Sequence, residues 1–209
     1  MHCALAASDY LASLDSDWAK LISQVGPCTL KLKAESEPYA ELMRAVAYQQ
    51  LHSKAADAIF EKFLSLYGAV AKPFPSAQQV LATEFEDLRA CGFSARKIAT
   101  LKAIAAGVLN GQVPTRMEAN SMSDEELIRR LISLKGIGRW TVEMLLIFSL
   151  AREDVLPAND LAIAAGYQRL KKLEKAPKAK ELIEIGLVWR PYRTVASWYL
   201  WHVPKSATG

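Results

Sequence analysis

The chain has 209 residues, 51% of them apolar and 23% charged, with a net charge of +4. That balance excludes a disordered or fibrous chain, leaves room for a substantial core, and permits a nucleic-acid partner without requiring one. Cys3, Cys28 and Cys91 are odd in number and far apart, which excludes a disulfide framework, and no apolar run approaches the roughly 20 residues of a membrane span.

Helical periodicity and helix punctuation run through nearly every segment, so the predicted fold is all-α. A first helix is expected over about 10–25, followed by a short extended stretch at 28–34, where Leu30 and Leu32 alternate. Ser36-Glu37-Pro38 opens a helix with Leu42, Met43, Val46 and Ala47 on one side. Ser53 caps a helix over 54–67 that Gly68 stops. Ser76 and Thr83 open two short helices, the second ending near Gly92, and Ser94 caps a longer one from 95 to about 109. Asn110-Gly111 breaks the chain. Ser123 with Glu126 is a capping-box signal for a helix through Ser133. A strongly apolar helix over 139–150 comes next, carrying Val142, Leu145, Leu146 and Phe148. A loop over 151–159 leads to a helix at Asp160, and further helices are expected over 178–188 and 191–201.

Between two of these helices lies Leu134-Lys135-Gly136-Ile137-Gly138-Arg139-Trp140-Thr141, and Asp160 stands twenty positions after Trp140 (160 − 140). Two glycines one residue apart give a tight turn with bare backbone N–H groups at a helix start, a place that can hold a phosphate. Glycine pairs mark many ordinary turns, so the spacing to the carboxylate adds the weight. By position alone Asp160 reads as a cap of the next helix.

The pattern Leu-x-Gly-Ile-Gly-x-Trp-Thr, followed by Leu156-Pro157-Ala158-Asn159-Asp160, resembles the helix-hairpin-helix DNA glycosylase superfamily, and within it the branch acting on alkylated purines such as 3-methyladenine. Three further segments carry the resemblance: Ala47 to Ala56, Gly92 to Lys97, and Trp189 to Arg193 leading to Trp201. Together they span about residues 40 to 202. The resemblance implies two helical lobes with a central cleft, one lobe of about 36–150 packed against another of about 1–35 plus 151–209. The compact form is expected, since too few residues precede the first motif for an added β-rich domain. It also implies a monofunctional glycosylase that flips an alkylated purine of the 3-methyladenine or 7-methylguanine type from double-stranded DNA, hydrolyses the N-glycosidic bond and leaves an abasic site.

On that resemblance, Asp160 is the catalytic carboxylate, a role compatible with capping. Base departure leaves positive charge on the sugar, and an anion near C1′ stabilises it. Trp140 and Trp201 are the expected walls for the extruded base, with Tyr48 and Met144 at further pocket positions; relatives place an aromatic where Met144 stands. Indole faces attract a cationic purine by about 1–2 kcal/mol where desolvated. Core packing is the alternative role for each aromatic, and is the expected one for Trp189 and Trp198. Leu51 is the expected wedge, with Gln50 and His52 beside it at base edges or sugars. Gly136, Gly138, Arg139 and Thr141 are expected to meet phosphates. Lys54, Arg96, Lys97 and Arg193 either extend this basic surface or are plain solvated charges.

Relatives hold a monovalent structural cation on hairpin carbonyls, which here would be those of Ile132, Leu134 and Gly136. Some also carry a four-cysteine iron–sulfur cluster near the C-terminus; with no cysteine after Cys91 that cluster is excluded, and no cofactor is required. Bifunctional relatives place a lysine directly before the hairpin threonine, where this chain has Trp140, so no strand nicking is expected. A monomer is expected. The first nine residues lack a basic region and a long apolar core, so the expected address is a bacterial-type cytoplasm, or the nucleus in a eukaryote. The rival readings are a non-catalytic helix-hairpin-helix DNA-binding protein and a glycosylase for another damaged base.

Overall fold

The structure is a computed structural model that describes residues 2–33, 36–68 and 74–204; among these there is no β-strand, and the fold is all-helical. Thirteen α-helices are assigned: α1 (His2–Leu14), α2 (Ser16–Val25), α3 (Pro38–Tyr48), α4 (Ser53–Ser65), α5 (Ala77–Ala82), α6 (Phe85–Ala90), α7 (Ala95–Leu109), α8 (Arg116–Ser121), α9 (Asp124–Ile132), α10 (Arg139–Phe148), α11 (Leu161–Lys171), α12 (Ala179–Ile185) and α13 (Arg193–Trp201). A 3₁₀ turn, Gly186–Trp189, comes after α12. The chain divides into two compact units, 1–32 with 146–209 and 33–145. The boundary expected near 150 therefore falls at 145, inside α10, and that expected near 35 falls at 32.

The unit of 33–145 is built on α7, against which α3 and α5 pack. Leu42, Met43, Val46 and Ala47 are all buried along one face of α3, as their spacing predicts. Phe60 and Phe63 of α4 extend this core, and Phe93 meets Phe63 edge-on at 5.7 Å. Ser76 and Gln79 form a reciprocal capping box at α5, and Ser94 accepts the Lys97 N–H at α7. The arginine of α8 ties the unit's first residues down: the Arg116 guanidinium donates to Ser36 O, and its backbone N–H donates to Glu37 at 2.9 Å.

The other unit centres on Trp18, Trp189 and Tyr199, all nearly inaccessible, with the two indoles edge to face at 5.5 Å. The helices α11 and α13 approach very closely at Gly166, where a Cβ would stand 2.1 Å from Leu200 O. That contact matters because Asp160 precedes α11 and Trp201 ends α13.

Several expected elements differ. Residues 10–25 hold parts of two helices: the chain breaks at Asp15, whose carboxylate accepts the Asp17 and Trp18 N–H groups to start α2. Ser53 is the first helical residue of α4 and His52 its cap. Thr83 closes α5, while Glu84 precedes α6. The short α8, with its Thr115–Glu118 capping box, is not among the expected helices. Residues 28–33 are irregular. The hairpin helix stops at Phe148 because Ala151 turns left-handed at φ +53° and the Arg152 N–H closes onto Leu146 O at 2.9 Å.

Candidate functional site

In the unit of 33–145 the turn between α9 and α10 is tied by two short bonds, Leu134 N–H to Leu131 O and Ile137 N–H to Leu134 O, each 3.1 Å. Gly136 sits at φ +89°, and a Cβ there would come 2.1 Å from Thr100 Oγ1 on α7. Glycine is therefore required twice over, by backbone conformation and by packing. Gly138 differs: its φ lies outside the left-handed region and a Cβ would meet nothing within 4 Å. Its carbonyl accepts the Thr141 and Val142 N–H groups at 3.0 and 3.3 Å, starting α10. Thr141 is buried, whereas Trp140 is 47% exposed.

Arg139 is engaged within the protein. Its Nε donates to Glu143 at 2.9 Å and its terminal nitrogen to Glu125 at 2.6 Å, the first carboxylate buried and the second largely exposed. The expected phosphate ligand thus already holds two carboxylates.

A cavity of about 460 Å³ opens beside the hairpin. Tyr48, Gln50, Gly136, Trp140, Thr141 and Met144 all line it, which brings together six of the residues singled out in the sequence. Tyr48 donates to Asp57 and meets Phe60 edge-on at 6.3 Å; burial, reinforced by the Asp57 carboxylate, holds its phenol above the ordinary pKa. Gln50 occupies the left-handed region at φ +56°, unusual for a residue with a side chain. Leu51 (40% exposed) and His52 come next, on the open turn into α4. Arg96 and Lys97 of α7, which the sequence names either as part of the basic surface or as solvated charges, also line the cavity, as does Thr100, which it does not single out. Lys97 is half-buried and donates to Ala47 O at 2.7 Å, a pairing across fifty residues that no local pattern signals.

Asp160 and Trp201 belong to the other unit. Asp160 caps α11, its Oδ1 accepting the Ala162 and Ile163 N–H groups at 2.8 and 3.2 Å, so the carboxylate satisfies two of the N–H groups that open the helix. Trp201 is half-buried and stacks on Phe148, with centroids 6.0 Å apart and planes 18° apart. The sequence marks Phe148 only as part of an apolar helix. Trp189 and Trp198 are buried, the core role expected of them. Arg193 forms a two-pronged ion pair with Asp154 at 2.6 and 2.9 Å and is not a solvated charge.

Residues 43–191 match the model of the HhH-GPD superfamily of base excision DNA repair proteins. The chain belongs to this superfamily. The matched span of this HhH-GPD protein contains the turn after α3, the glycine hairpin and Asp160, and ends before Trp201. The chain is 50% identical over 202 residues to DNA-3-methyladenine glycosylase 1 of Schizosaccharomyces pombe, covering 96% of this chain and 88% of that protein. Its structure resembles that of the S. pombe 3-methyladenine DNA glycosylase Mag1 in complex with abasic DNA, with a TM-score of 0.82 and 49% identity over 94% and 95% of the two chains. A DNA-3-methyladenine glycosidase from Bacillus halodurans is similar at 32% identity and a TM-score of 0.83, over 94% and 88%.

Proposed function

We propose that this chain is a monofunctional DNA glycosylase that removes alkylated purines, of the 3-methyladenine or 7-methylguanine type, from duplex DNA. The observation that carries the reading is the cavity itself: an exposed indole, Trp140, stands in it beside the glycine hairpin, in the position where a lyase would place its lysine. Kinship with 3-methyladenine glycosylases supports the substrate class.

The chemistry is dictated by the charges. An alkylated purine is cationic, so its departure takes the bonding electron pair from C1′ and leaves a neutral base with an oxocarbenium-like sugar. The Asp160 carboxylate, hydrogen-bonded by two helix N–H groups, stabilises that sugar cation and assists the water that adds to C1′. Trp140 holds the extruded base by stacking and by cation–π attraction, which an ordinary purine gains less of. Leu51 fills the vacated stack, with Gln50 and His52 at its sides. The open space at Gly138 admits a phosphate close to the start of α10.

Each role is filled by groups of this chain acting as a monomer. A monovalent cation on the Ile132, Leu134 and Gly136 carbonyls would add positive charge to the phosphate grip. Leu134 O fits such a ligand, since it accepts only the Ile137 N–H among the turn's backbone bonds and keeps a second lone pair.

The test is chromatographic identification of bases released from methylated duplex DNA, with the strand then resolved on a denaturing gel before and after alkali. Release of methylpurines, with breaks appearing only after alkali, is the expected result. Tight duplex binding with no base released would favour a purely DNA-binding protein.

A further inference from the structure

Lys97, on the first turn of α7, donates its ammonium to Ala47 O at 2.7 Å, and burial lowers its pKa from the ordinary lysine value. Ala47 is fully buried in the last turn of α3, among the carbonyls that a helix end leaves without intrahelical partners. Its neighbours are satisfied inside the turn: Val46 O accepts the Gln49 N–H and Tyr48 O the Leu51 N–H, each at 3.3 Å. Ala47 O takes a side chain from a helix fifty residues away. The ammonium also sets a positive charge against the negative end of α3.

The start of the turn is held as well by the Tyr48 hydroxyl, which donates to Asp57 of α4, while its middle is the less supported part. Gln50 stands at φ +56°, and His52 makes no side-chain cap bond to α4. Leu51 projects from this turn, 40% exposed. A wedge displaces a stacked base pair only if its own support does not recoil, and the support here is the end of α3. Lys97 lines the same cavity as Tyr48 and Gln50, with its Nζ directed at protein rather than at solvent.

We propose that Lys97 is a positioning residue for duplex opening: by fixing the last turn of α3 it holds the 49–52 turn in the geometry from which Leu51 enters the stack. This rests on the glycosylase reading and deepens it. It separates Lys97 from the neighbouring Arg96, which is exposed and available to a phosphate.

The experiment compares the full chain with Lys97→Met, which keeps the apolar stem and removes donor and charge, and with Lys97→Arg, which restores both. Single-turnover base release is measured from 7-methylguanine in two duplexes, one matched and one with the lesion opposite an abasic site, where it is already weakly held. Misplacement of a wedge is expected to slow Lys97→Met about 10- to 100-fold on the matched duplex. On the weakly held lesion the loss should stay within about threefold, because unstacking is then cheap. Lys97→Arg should recover most of the matched-duplex rate, and the salt slope of binding should not change. A lysine that neutralised a phosphate would lower that slope by about one. Equal loss on both duplexes, no loss on either, a reduced salt slope, or failure of Lys97→Arg to rescue overturns the proposal. If circular dichroism finds Lys97→Met unfolded, Lys97→Gln takes its place with the same ratio as readout. A wild type that releases no base from either duplex overturns the glycosylase reading itself, an outcome the variant ratios do not mimic.

Discussion

The turn joining α9 to α10 puts its left-handed residue at a glycine, Gly136 at φ +89°, whereas the turn joining α3 to α4 puts it at Gln50, φ +56°. In the hairpin the backbone is the part proposed to meet DNA. Glycine removes the strain, Thr100 packs against the bare Cα, and Gly138 leaves open space. In the other turn the side chains are the part proposed to act on DNA, and the chain carries a glutamine where glycine would be comfortable, at a cost of about 1–2 kcal/mol. On the proposed roles, backbone ease is kept where a backbone would meet a phosphate and given up where side chains would enter the duplex.

Four substitutions test that contrast, in descending order of effect. Gly136→Ala should cost about 3 kcal/mol or more in chemical denaturation, because it adds both a left-handed penalty and a clash with Thr100; a loss under about 1 kcal/mol would break the packing argument. Gly138→Ala should leave stability within about 1 kcal/mol yet weaken duplex binding about tenfold, since the added methyl meets only the incoming phosphate. Unaltered affinity in a titration would remove Gly138 from the grip. Gln50→Gly should leave thermal stability unchanged or raise it by up to about 1 kcal/mol, relief of strain being offset in part by glycine's entropy, while slowing base release from matched duplex. A clear fall in stability would mean that Gln50 serves the fold. Glu125→Gln should change stability by under about 1 kcal/mol, as befits an exposed ion pair.

That last effect has a pH signature. Arg139 holds the Glu125 carboxyl below its ordinary value of 4.5. A depressed folded-state pKa stabilises the fold above the unfolded value, and the contribution disappears as pH falls from about 4.5 through the folded value. The gap between wild type and Glu125→Gln should therefore close in acid; a gap that widened there would contradict the pairing.

Much of the fold and the site is legible in the sequence where the signal is local. The helical class, the buried face of α3, the caps Ser76, Ser94 and Ser123 and the hairpin all arise from spacing over a few residues. Asp15 is hidden because apolar periodicity continues across the break between α1 and α2. The Thr115–Glu118 box carries the same signal as Ser123 with Glu126 and is readable. So is the i,i+4 pairing of Arg139 with Glu143. The Lys97 bond to Ala47, the Phe148–Trp201 stack and the Arg193–Asp154 pair join segments dozens of residues apart, and no local pattern encodes them.

The proposed mechanism requires Asp160 to act on the sugar cation as a charge and not merely as a helix cap. Asparagine caps about as well as aspartate, so Asp160→Asn removes the charge while preserving α11. Single-turnover release of methylpurine from duplex DNA should fall at least about 100-fold, with the melting temperature shifted by no more than a few degrees. Release at near the wild-type rate by a folded Asp160→Asn protein would contradict that role.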